Sequence, residues 1–174
     1  VSTAMTLGMA RARFDQDPDA ARELLDDAHQ EIKESITELR QLARGMHPAV
    51  LADRGLDAAL SAVASRSPVP VHLQVNLPGR LDGETEAVLY FVVAEALTNV
   101  AKHAGAGRAH VLIERYPDRV VARVWDDGRG SAVITPGGGL SGIQDRVRAA
   151  GGSFALNSPA GGPTEIVVEV PCVS

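Results

Sequence analysis

The segment EALTNVAKHAGA, Glu95–Ala106, places a polar ladder inside a stretch whose other residues are typical of a buried helix. Glu95, Asn99 and His103 recur at a spacing of four, with Lys102 beside the last of them, so they share one helical stripe. Asn is unfavourable within a helix because its short amide competes for backbone hydrogen bonds. The stripe is either a solvent-exposed face or the wall of a ligand cavity. In a cavity, the Asn carbonyl can bind Mg²⁺ and the Glu can orient or deprotonate a hydroxyl.

Two glycine-containing segments follow the ladder. WDDGRG, Trp125–Gly130, ends a predicted strand, where Asp126 can accept a hydrogen bond from a ligand amine. Its glycines allow close approach of the backbone to a ligand, although an ordinary hairpin turn is the alternative. PGGGLSGIQDRV, Pro136–Val147, formally matches the dinucleotide fingerprint but lies too near the end of the chain to open a Rossmann half. It predicts instead a flexible loop that leads into the positive end of a helix, which suits phosphate.

Hydrophobic periodicity and turn residues predict the elements around these motifs. In chain order they are helices over 1–14 and Asp17–Gly45, a short helix over Leu56–Ala64, a strand over Val69–Leu77, a helix from Asp82 to about Ala104, a hairpin over Ala109–Asp126, a helix over Gly142–Ala150 and a hairpin over Ser153–Pro171. The second half is thus β-α-ββ-α-ββ. The chain as a whole is predicted to be α+β, with a helical hairpin followed by a mixed sheet that helices cover on one face.

The second helix carries a narrow apolar seam, which consists of Leu25, Ala28, Ile32, Leu39, Leu42 and Met46. A lone pair of amphipathic helices is marginally stable, so the seam needs a partner. That partner is either the rest of the chain or a second copy, which would complete a four-helix bundle. The narrowness of the seam favours the second alternative.

The composition excludes several classes of function. The chain of 174 residues has a net charge of −5 and no basic stripe, which argues against direct nucleic-acid binding. Its one cysteine, Cys172, excludes an internal disulfide and a cysteine-based zinc site. No apolar run approaches the roughly 18–20 residues of a membrane span. We therefore expect a cytoplasmic, soluble domain, and any link to a membrane would have to come from missing segments of a larger receptor.

The order of the motifs resembles that of the GHKL ATPases, and within them the ATP-binding domain of two-component sensor histidine kinases. EALTNVAKHA is similar to the family's N box, DDGRG to its first glycine box, and GGGLSGIQDRV to its second. GGPTEIVVEVP resembles the closing strand. Upstream, ELRQLARGMHPAVLADRGLDAALSAVA resembles the join between dimerisation helices and ATPase domain in the subfamily that serves helix-turn-helix response regulators.

The resemblance implies a Bergerat-type α/β sandwich that binds ATP with Mg²⁺. Glu95 matches the catalytic residue thought to assist phosphoryl transfer, Asn99 the Mg²⁺-binding Asn, and Asp126 the Asp that reads adenine. The remaining matches are Lys102 and His103 near the phosphates, Gly128 and Gly130 beneath the base, the loop residues Gly139, Leu140, Ser141 and Gly142 on phosphate, and Thr164 near adenine. A short ATP lid over Ser131–Gly138 is also implied.

The resemblance divides the chain into a partial dimerisation and phosphoacceptor hairpin, residues 1–47, and an ATP-binding catalytic domain, residues 48–174. The subfamily's acceptor is a His followed by Asp, with Gln three positions further on. None of the five histidines fits, and His47 lies at a predicted helix end without an acidic neighbour. Truncation of the chain after its acceptor and degeneration of the motif both explain this, and we favour truncation.

The implied function is the ATP-binding catalytic part of a two-component sensor histidine kinase. The γ-phosphate of ATP would pass to a histidine outside this chain and then to a response regulator with a helix-turn-helix output domain. The full-length protein would be a homodimer. The alternative is a non-catalytic, nucleotide-sensing dimerisation or regulatory module, against which the intact Glu95, Asn99 and Asp126 argue. A serine kinase of the same superfamily would leave the upstream helices without a role.

Overall fold

The computed structural model describes residues 2–14, 16–43 and 49–172. The chain forms two compact units, Val1–Met46 and His47–Ser174. The predicted helix end at Gly45, the seam residue Met46 and the histidine at position 47 lie outside the described residues. Among the helices of the described ranges, none combines the length and the apolar character that crossing a membrane requires.

The N-terminal unit is a pair of packed helices, α1 (Ser2–Arg13) and α2 (Pro18–Ala43). The N-cap predicted for α2 is confirmed, because the backbone N–H of Ala20 donates to Oδ1 of Asp17 at 3.1 Å. This bond satisfies one of the donors that a helix leaves free in its first turn. The boundary between the two helices is therefore fixed by local sequence.

Among the side chains of this unit that the structure describes, the buried ones are small, namely Ala10, Ala21 and Ala28. Two larger residues of the apolar seam, Leu25 and Ile32, are each 42% exposed. The side chains of Leu39 and Leu42 lie outside the described residues. The described seam thus remains largely uncovered, since only its alanine is buried.

Over residues 49–172, the C-terminal unit contains three helices and five strands. They are α3 (Ala49–Ser65), β1 (Val71–Asn76), α4 (Gly83–Asn99), β2 (Ala109–Arg115), β3 (Arg119–Asp126), α5 (Gly139–Ala149), β4 (Ser153–Asn157) and β5 (Glu165–Pro171). A π-helical turn, Val100–Ala104, extends α4. The N-cap predicted for α4 is present, since the N–H of Thr85 donates to Oδ1 of Asp82 at 2.9 Å. That hydrogen bond lowers the pKa of Asp82.

The strands form one mixed sheet in the order β1-β2-β3-β5-β4, in which β1 and β2 are parallel and the other neighbours antiparallel. Alternate residues of β2, β3 and β5 are buried, as the sequence alternation predicted. They form a core with apolar residues of the three helices, among them Leu60, Leu89, Val92, Ile143 and Val147. The predicted α+β class with helices and a mixed sheet is confirmed.

Apart from shifts of one or two residues at element ends, three features differ from the prediction. Helix α3 begins at Ala49 rather than Leu56, and Gly55, with φ 82° and ψ 179°, interrupts its helical geometry. That positive φ suits glycine, which explains why the helical geometry breaks at this position. The helical residues before Gly55 were not predicted from the sequence. Helix α5 begins at Gly139 rather than Gly142, although glycine is a poor helix former. The end of α4 is π-helical rather than α-helical.

An ion pair between the buried carboxylate of Glu86 and the Arg80 side chain, which is 54% exposed, fastens α3 to α4 and was not predicted from the sequence. Glu86 of α4 is 2% exposed, and its two oxygens accept hydrogen bonds from Nε and Nη2 of Arg80, each at 2.8 Å. The same Nη2 donates to the carbonyl of Leu51 at 3.1 Å. The N–H of Leu81 also donates to Glu86, at 3.2 Å. This joint holds the first part of α3 beside the helix that carries the polar ladder.

Candidate functional site

A cavity of about 570 Å³ opens in the C-terminal unit, between the end of α4, the loop after β3, the start of α5 and the start of β5. Polar residues from distant parts of the chain meet there, as the motif order predicted they would. The predicted site residues that line it are Asn99, His103, Asp126, Gly130, Gly139, Leu140 and Thr164. Glu95, Lys102, Gly128, Ser141 and Gly142 are not among the lining residues.

The polar ladder of α4 divides at its end. Asn99 and His103 line the cavity, whereas Lys102 lines a separate groove with residues that include Arg66, Ser67 and Thr98. A π-helical turn bonds each residue to one five positions away, so side chains there depart from the α-helical stripe. The structure therefore separates Lys102 from the site residues with which the sequence grouped it.

Asn99 carries an unsatisfied polar atom. Its amide nitrogen, Nδ2, is buried and has no hydrogen-bond partner among the described residues. Burying an unpaired amide costs about 1–3 kcal/mol, so such groups are uncommon unless a ligand supplies the partner. The amide nitrogen of Asn99 is thus available to donate a hydrogen bond to an acceptor atom of a molecule in the cavity.

Glu95 lies one turn before Asn99, and its carboxylate contacts the first residue of α5. A Cβ atom at Gly139 would overlap Oε1 of Glu95, so only glycine leaves room for this carboxylate. Helix α5 has Gly138 as its N-cap and no side-chain cap. Ser141 and Gly142 lie in its first turn, where the N–H of Gly142 already donates to the carbonyl of Gly138 at 3.0 Å. The positive end of α5 therefore lies next to the Glu95 carboxylate.

Asp126 ends β3 with 3% of its surface exposed. Its Oδ1 accepts a hydrogen bond from the N–H of Gly128 at 2.7 Å, and its own N–H donates to the carbonyl of Thr164 at 3.0 Å. Burial raises the pKa of Asp126, and the bond from Gly128 offsets only part of that rise. No Lys or Arg of the described chain forms an ion pair with it. Asp126 is thus a buried carboxylate without a cation.

The loop after Asp126 is fastened to the β4–β5 connection. Gly130 has φ 63°, and a Cβ there would overlap the carbonyl oxygen of Pro159. The N–H of Ala132 donates to Oγ of Ser158 at 2.9 Å, and that hydroxyl is 2.8 Å from Oγ1 of Thr164. These contacts hold Gly130 and Thr164 at the cavity wall.

Two charged residues of the same loop were not predicted. The carboxylate of Asp127 accepts hydrogen bonds from the N–H groups of Gly107 and Arg108, at 2.7 and 3.0 Å, and these bonds lower its pKa. Arg129 lines the cavity, and its Nε donates to the carbonyl of His103 at 3.0 Å. The pairings join positions that are 19 to 26 residues apart, and no short-range pattern signals them.

The described residues offer few protein ligands for a metal. No group of three or more His, Cys, Asp or Glu side chains in those ranges is arranged to hold an ion. A divalent cation in the cavity would therefore take most of its ligands from a bound anion and from water, as Mg²⁺ commonly does.

Comparison with known proteins gives two family matches. Residues 1–51 match a histidine kinase family model, HisKA_3, and residues 84–174 match the family of histidine kinase-, DNA gyrase B- and HSP90-like ATPases. The second match covers more than half of the chain. The chain belongs to this ATPase family. The resemblance to sensor histidine kinases is confirmed.

Proteins similar to this chain include sensor histidine kinases. The sensor histidine kinase MctS of Rhizobium johnstonii is 32% identical over 94% of the chain, and the oxygen sensor histidine kinase NreB of Staphylococcus carnosus is 30% identical over 91% of it. The chain spans 38% and 48% of their lengths, respectively. Among solved structures, the Acinetobacter baumannii histidine kinase AdeS shares the fold, with a TM-score of 0.59, 13% identity, and coverage of 99% of this chain and 98% of that one.

Proposed function

We propose that this chain is the ATP-binding catalytic part of a two-component sensor histidine kinase, which transfers the γ-phosphate of ATP to a histidine outside the chain. One observation carries the proposal: two buried polar groups, the Asn99 amide and the Asp126 carboxylate, meet at one cavity without full compensation. They do so in a chain of an ATPase family. A ligand that supplies both missing partners explains why these groups are kept there.

The base of the nucleotide is assigned to the end of the cavity that Asp126 forms. Adenine carries an exocyclic amine, and an ionised carboxylate accepts a hydrogen bond from it more strongly than a neutral group does. Gly128 orients the carboxylate through its N–H, at 2.7 Å. Thr164 lies beside Asp126 on the wall and offers a hydroxyl. This end of the cavity therefore recognises the hydrogen-bonding groups of the base rather than a charge on the ligand.

The phosphates are assigned to the end formed by Asn99 and the start of α5. The first turn of α5 has no side-chain cap, so its N–H groups and the helix dipole favour an anion. Asn99 fits Mg²⁺, because its amide oxygen is a hard ligand and phosphate oxygens would complete the shell. When bound, the ion neutralises charge on the transferring phosphoryl group. Because Lys102 lines another groove, His103 is the residue of that pair assigned to this cavity.

Glu95 is assigned the catalytic role. Its carboxylate lies against Gly139, at the helix end where phosphate is expected. From there it can orient the incoming imidazole of the acceptor histidine and accept its N–H proton while the phosphoryl group is transferred. The rest of catalysis depends on positioning and on electrostatic stabilisation by fixed groups.

The assembly is also part of the proposal. The uncovered seam residues Leu25 and Ile32 suit pairing with a second hairpin, so we propose a homodimer in the full-length protein. The phosphate would pass to a response regulator with a helix-turn-helix output domain. Residues 1–47 would supply the helical hairpin and residues 48–174 the catalytic domain. The free, buried Cys172 suits a reducing compartment, and we place the domain in the cytoplasm.

Calorimetric titration with ATP, with and without Mg²⁺, tests the proposal. We expect Mg²⁺-linked binding by the wild-type chain, and binding weaker by about ten- to hundredfold in Asp126→Asn, because a hydrogen bond to a charged group is lost. Asp127→Asn is the matched control, since it removes the same charge one residue away, where the carboxylate bonds Gly107 and Arg108. Absence of binding by the wild-type chain, or equal loss in both variants, would contradict the proposal.

A further inference from the structure

Arg129 is a cavity residue that the motif analysis leaves without a role. Among the lining residues of the described chain, it is the one Lys or Arg. The other ionisable groups of the lining are Asp126 and His103. A nucleotide with two or three phosphates brings several negative charges to this cavity. The question is which side chain of the protein meets them.

Backbone contacts on both sides hold Arg129 in place. Its N–H donates to the carbonyl of Ala104 at 3.0 Å, and its own carbonyl accepts from the N–H of Gly161 at 2.8 Å. In addition, its side-chain Nε donates to the carbonyl of His103 at 3.0 Å. The carbonyls of His103 and Ala104 are the last two of the π-helical turn, so Arg129 closes that helix end.

The bond to His103 uses only one of the five guanidinium N–H donors. Because hydrogen bonds hold Nε and the backbone of this cavity residue, ordering the rest of the guanidinium on a ligand costs less side-chain entropy. Guanidinium groups bind phosphate through paired N–H donors, more directionally than an ammonium does. The side chain is exposed overall, so solvent screens part of its charge.

We propose that Arg129 is a binding residue for the phosphate chain of the nucleotide, with its terminal nitrogens donating to phosphate oxygens while Nε stays on the His103 carbonyl. The inference rests on the proposed nucleotide site and deepens it. It assigns to the loop after β3 the cationic contact that Lys102, in its separate groove, does not make. The alternative is that Arg129 only closes the end of the helix.

The two roles give different dependences on the ligand. A phosphate contact makes binding of ADP and ATP depend on Arg129 and leaves adenosine nearly unaffected. A role in closing the helix alone shifts the whole wall formed by His103, so the affinities for all three ligands fall together. It also leaves the salt dependence of ATP binding unchanged, because no charge pair is lost.

The experiment is calorimetric titration of adenosine, ADP and ATP, with Mg²⁺, into wild type, Arg129→Gln and Arg129→Lys. We expect Arg129→Gln to weaken ADP and ATP binding by about tenfold, to leave adenosine within about twofold, and to flatten the salt dependence. Arg129→Lys keeps the charge without the Nε anchor and should lose less. Arg108→Gln is the control, since Arg108 is an exposed arginine of the same region that pairs with Asp127 and does not line the cavity.

Equal losses for adenosine, ADP and ATP in Arg129→Gln, together with a lower Tm, would overturn the inference and leave the helix-closing role. A wild-type chain that binds none of the three ligands would instead overturn the proposed nucleotide site itself. Retained binding of adenosine by Arg129→Gln shows that the variant is folded, so the phosphate comparison remains interpretable.

Discussion

Two carboxylates of the C-terminal unit are almost equally buried but differ in how their charge is met. Glu86, in the joint between α3 and α4, and Asp126, in the cavity, are 2% and 3% exposed. Both oxygens of Glu86 accept hydrogen bonds from one guanidinium, whereas Asp126 has an N–H group and no cation. Burial accordingly raises the pKa of Asp126.

The comparison distinguishes a buried charge that stabilises the fold from a buried charge that is still available to a ligand. A fully paired buried ion holds two elements in one arrangement, because separating the pair leaves an uncompensated charge in the interior. A partly paired one remains costly until a ligand supplies what is missing. Depth of burial alone therefore does not distinguish these two carboxylates, whereas their hydrogen-bond and ion-pair partners do.

The joint gives the largest expected effect on stability. Arg80→Met keeps much of the apolar stem, but it leaves the buried Glu86 carboxylate without a cation, with the N–H of Leu81 as its remaining donor, and it frees the Leu51 carbonyl. We expect thermal denaturation to show a Tm lower by several degrees at neutral pH, with the ATP affinity of the folded molecules changed much less. The measurement is circular dichroism melting beside titration well below the Tm.

The control for the joint is Arg66→Met. Arg66 is also on the C-terminal unit, and its Nε donates to a backbone carbonyl, that of Ala62, at 3.0 Å, without a carboxylate partner. We expect its Tm to stay close to that of the wild type. A similar fall in both variants would show that the loss comes from the hydrogen bonds to carbonyls and not from the stranded charge of Glu86.

Part of the structure could be predicted from short-range patterns and from the order of the motifs. The alternation in β2 and β3 and the N-caps Asp17 and Asp82 are short-range patterns, and the structure confirms them. Motif order was also sufficient to predict which distant residues meet, because the fold brings Asn99, Asp126 and Gly139 to one cavity. Local rules and a recognised order account for the architecture and much of the site.

What the sequence did not reveal depends on particular long-range contacts. Arg80 and Glu86 are close in sequence, but nothing in their spacing shows that both oxygens are buried and paired. The π-helical turn, which separates Lys102 from His103, has no composition that distinguishes it from an α-helical turn. The anchor of Arg129 on a helix end likewise exists only after folding.

A third carboxylate, that of Glu95, extends the comparison, because its position depends on the absence of a side chain at Gly139. Gly139→Ala would place a methyl group where Oε1 of Glu95 lies, and a flexible carboxylate yields more easily than backbone does. We expect phosphoryl transfer to a histidine acceptor supplied on a separate hairpin to slow by roughly tenfold or more, since a displacement of about 1 Å can cost that much. The Tm should change by no more than about 2 °C.

The double variant with Glu95→Gln tests whether the methyl group acts through the carboxylate. If it does, Gly139→Ala should add little once Glu95 is neutral, because the two changes remove the same interaction. Independent, multiplying losses would mean that the methyl group disturbs the helix end or the ligand directly.

The smallest expected effect is on stability at Asp126, and its sign distinguishes this residue from its neighbour. Burial raises the pKa of Asp126 in the folded state, so its contribution to stability is present below the unfolded pKa and is lost as the pH rises through the folded pKa. At neutral pH the ionised carboxylate is therefore a cost, and Asp126→Asn should raise the Tm by about 1–3 °C, a gain that fades in acid. In the proposed site the ionised carboxylate accepts a hydrogen bond from adenine, so wild-type affinity for ATP is expected to fall over the same acid range.

Asp127 gives the opposite sign. The N–H of Arg108, chiefly, lowers its pKa, so its contribution is present above the unfolded pKa and is lost as the pH falls through the folded one. Asp127→Asn should thus lower the Tm at neutral pH, and the deficit should shrink in acid. Melting curves of both variants from about pH 4 to 8 measure the two slopes. If the two variants showed the same dependence of Tm on pH, the assignment would be contradicted. Such a result would mean that the buried Asp126 carboxylate carries no uncompensated charge and that Asp126 and Asp127 differ only in exposure.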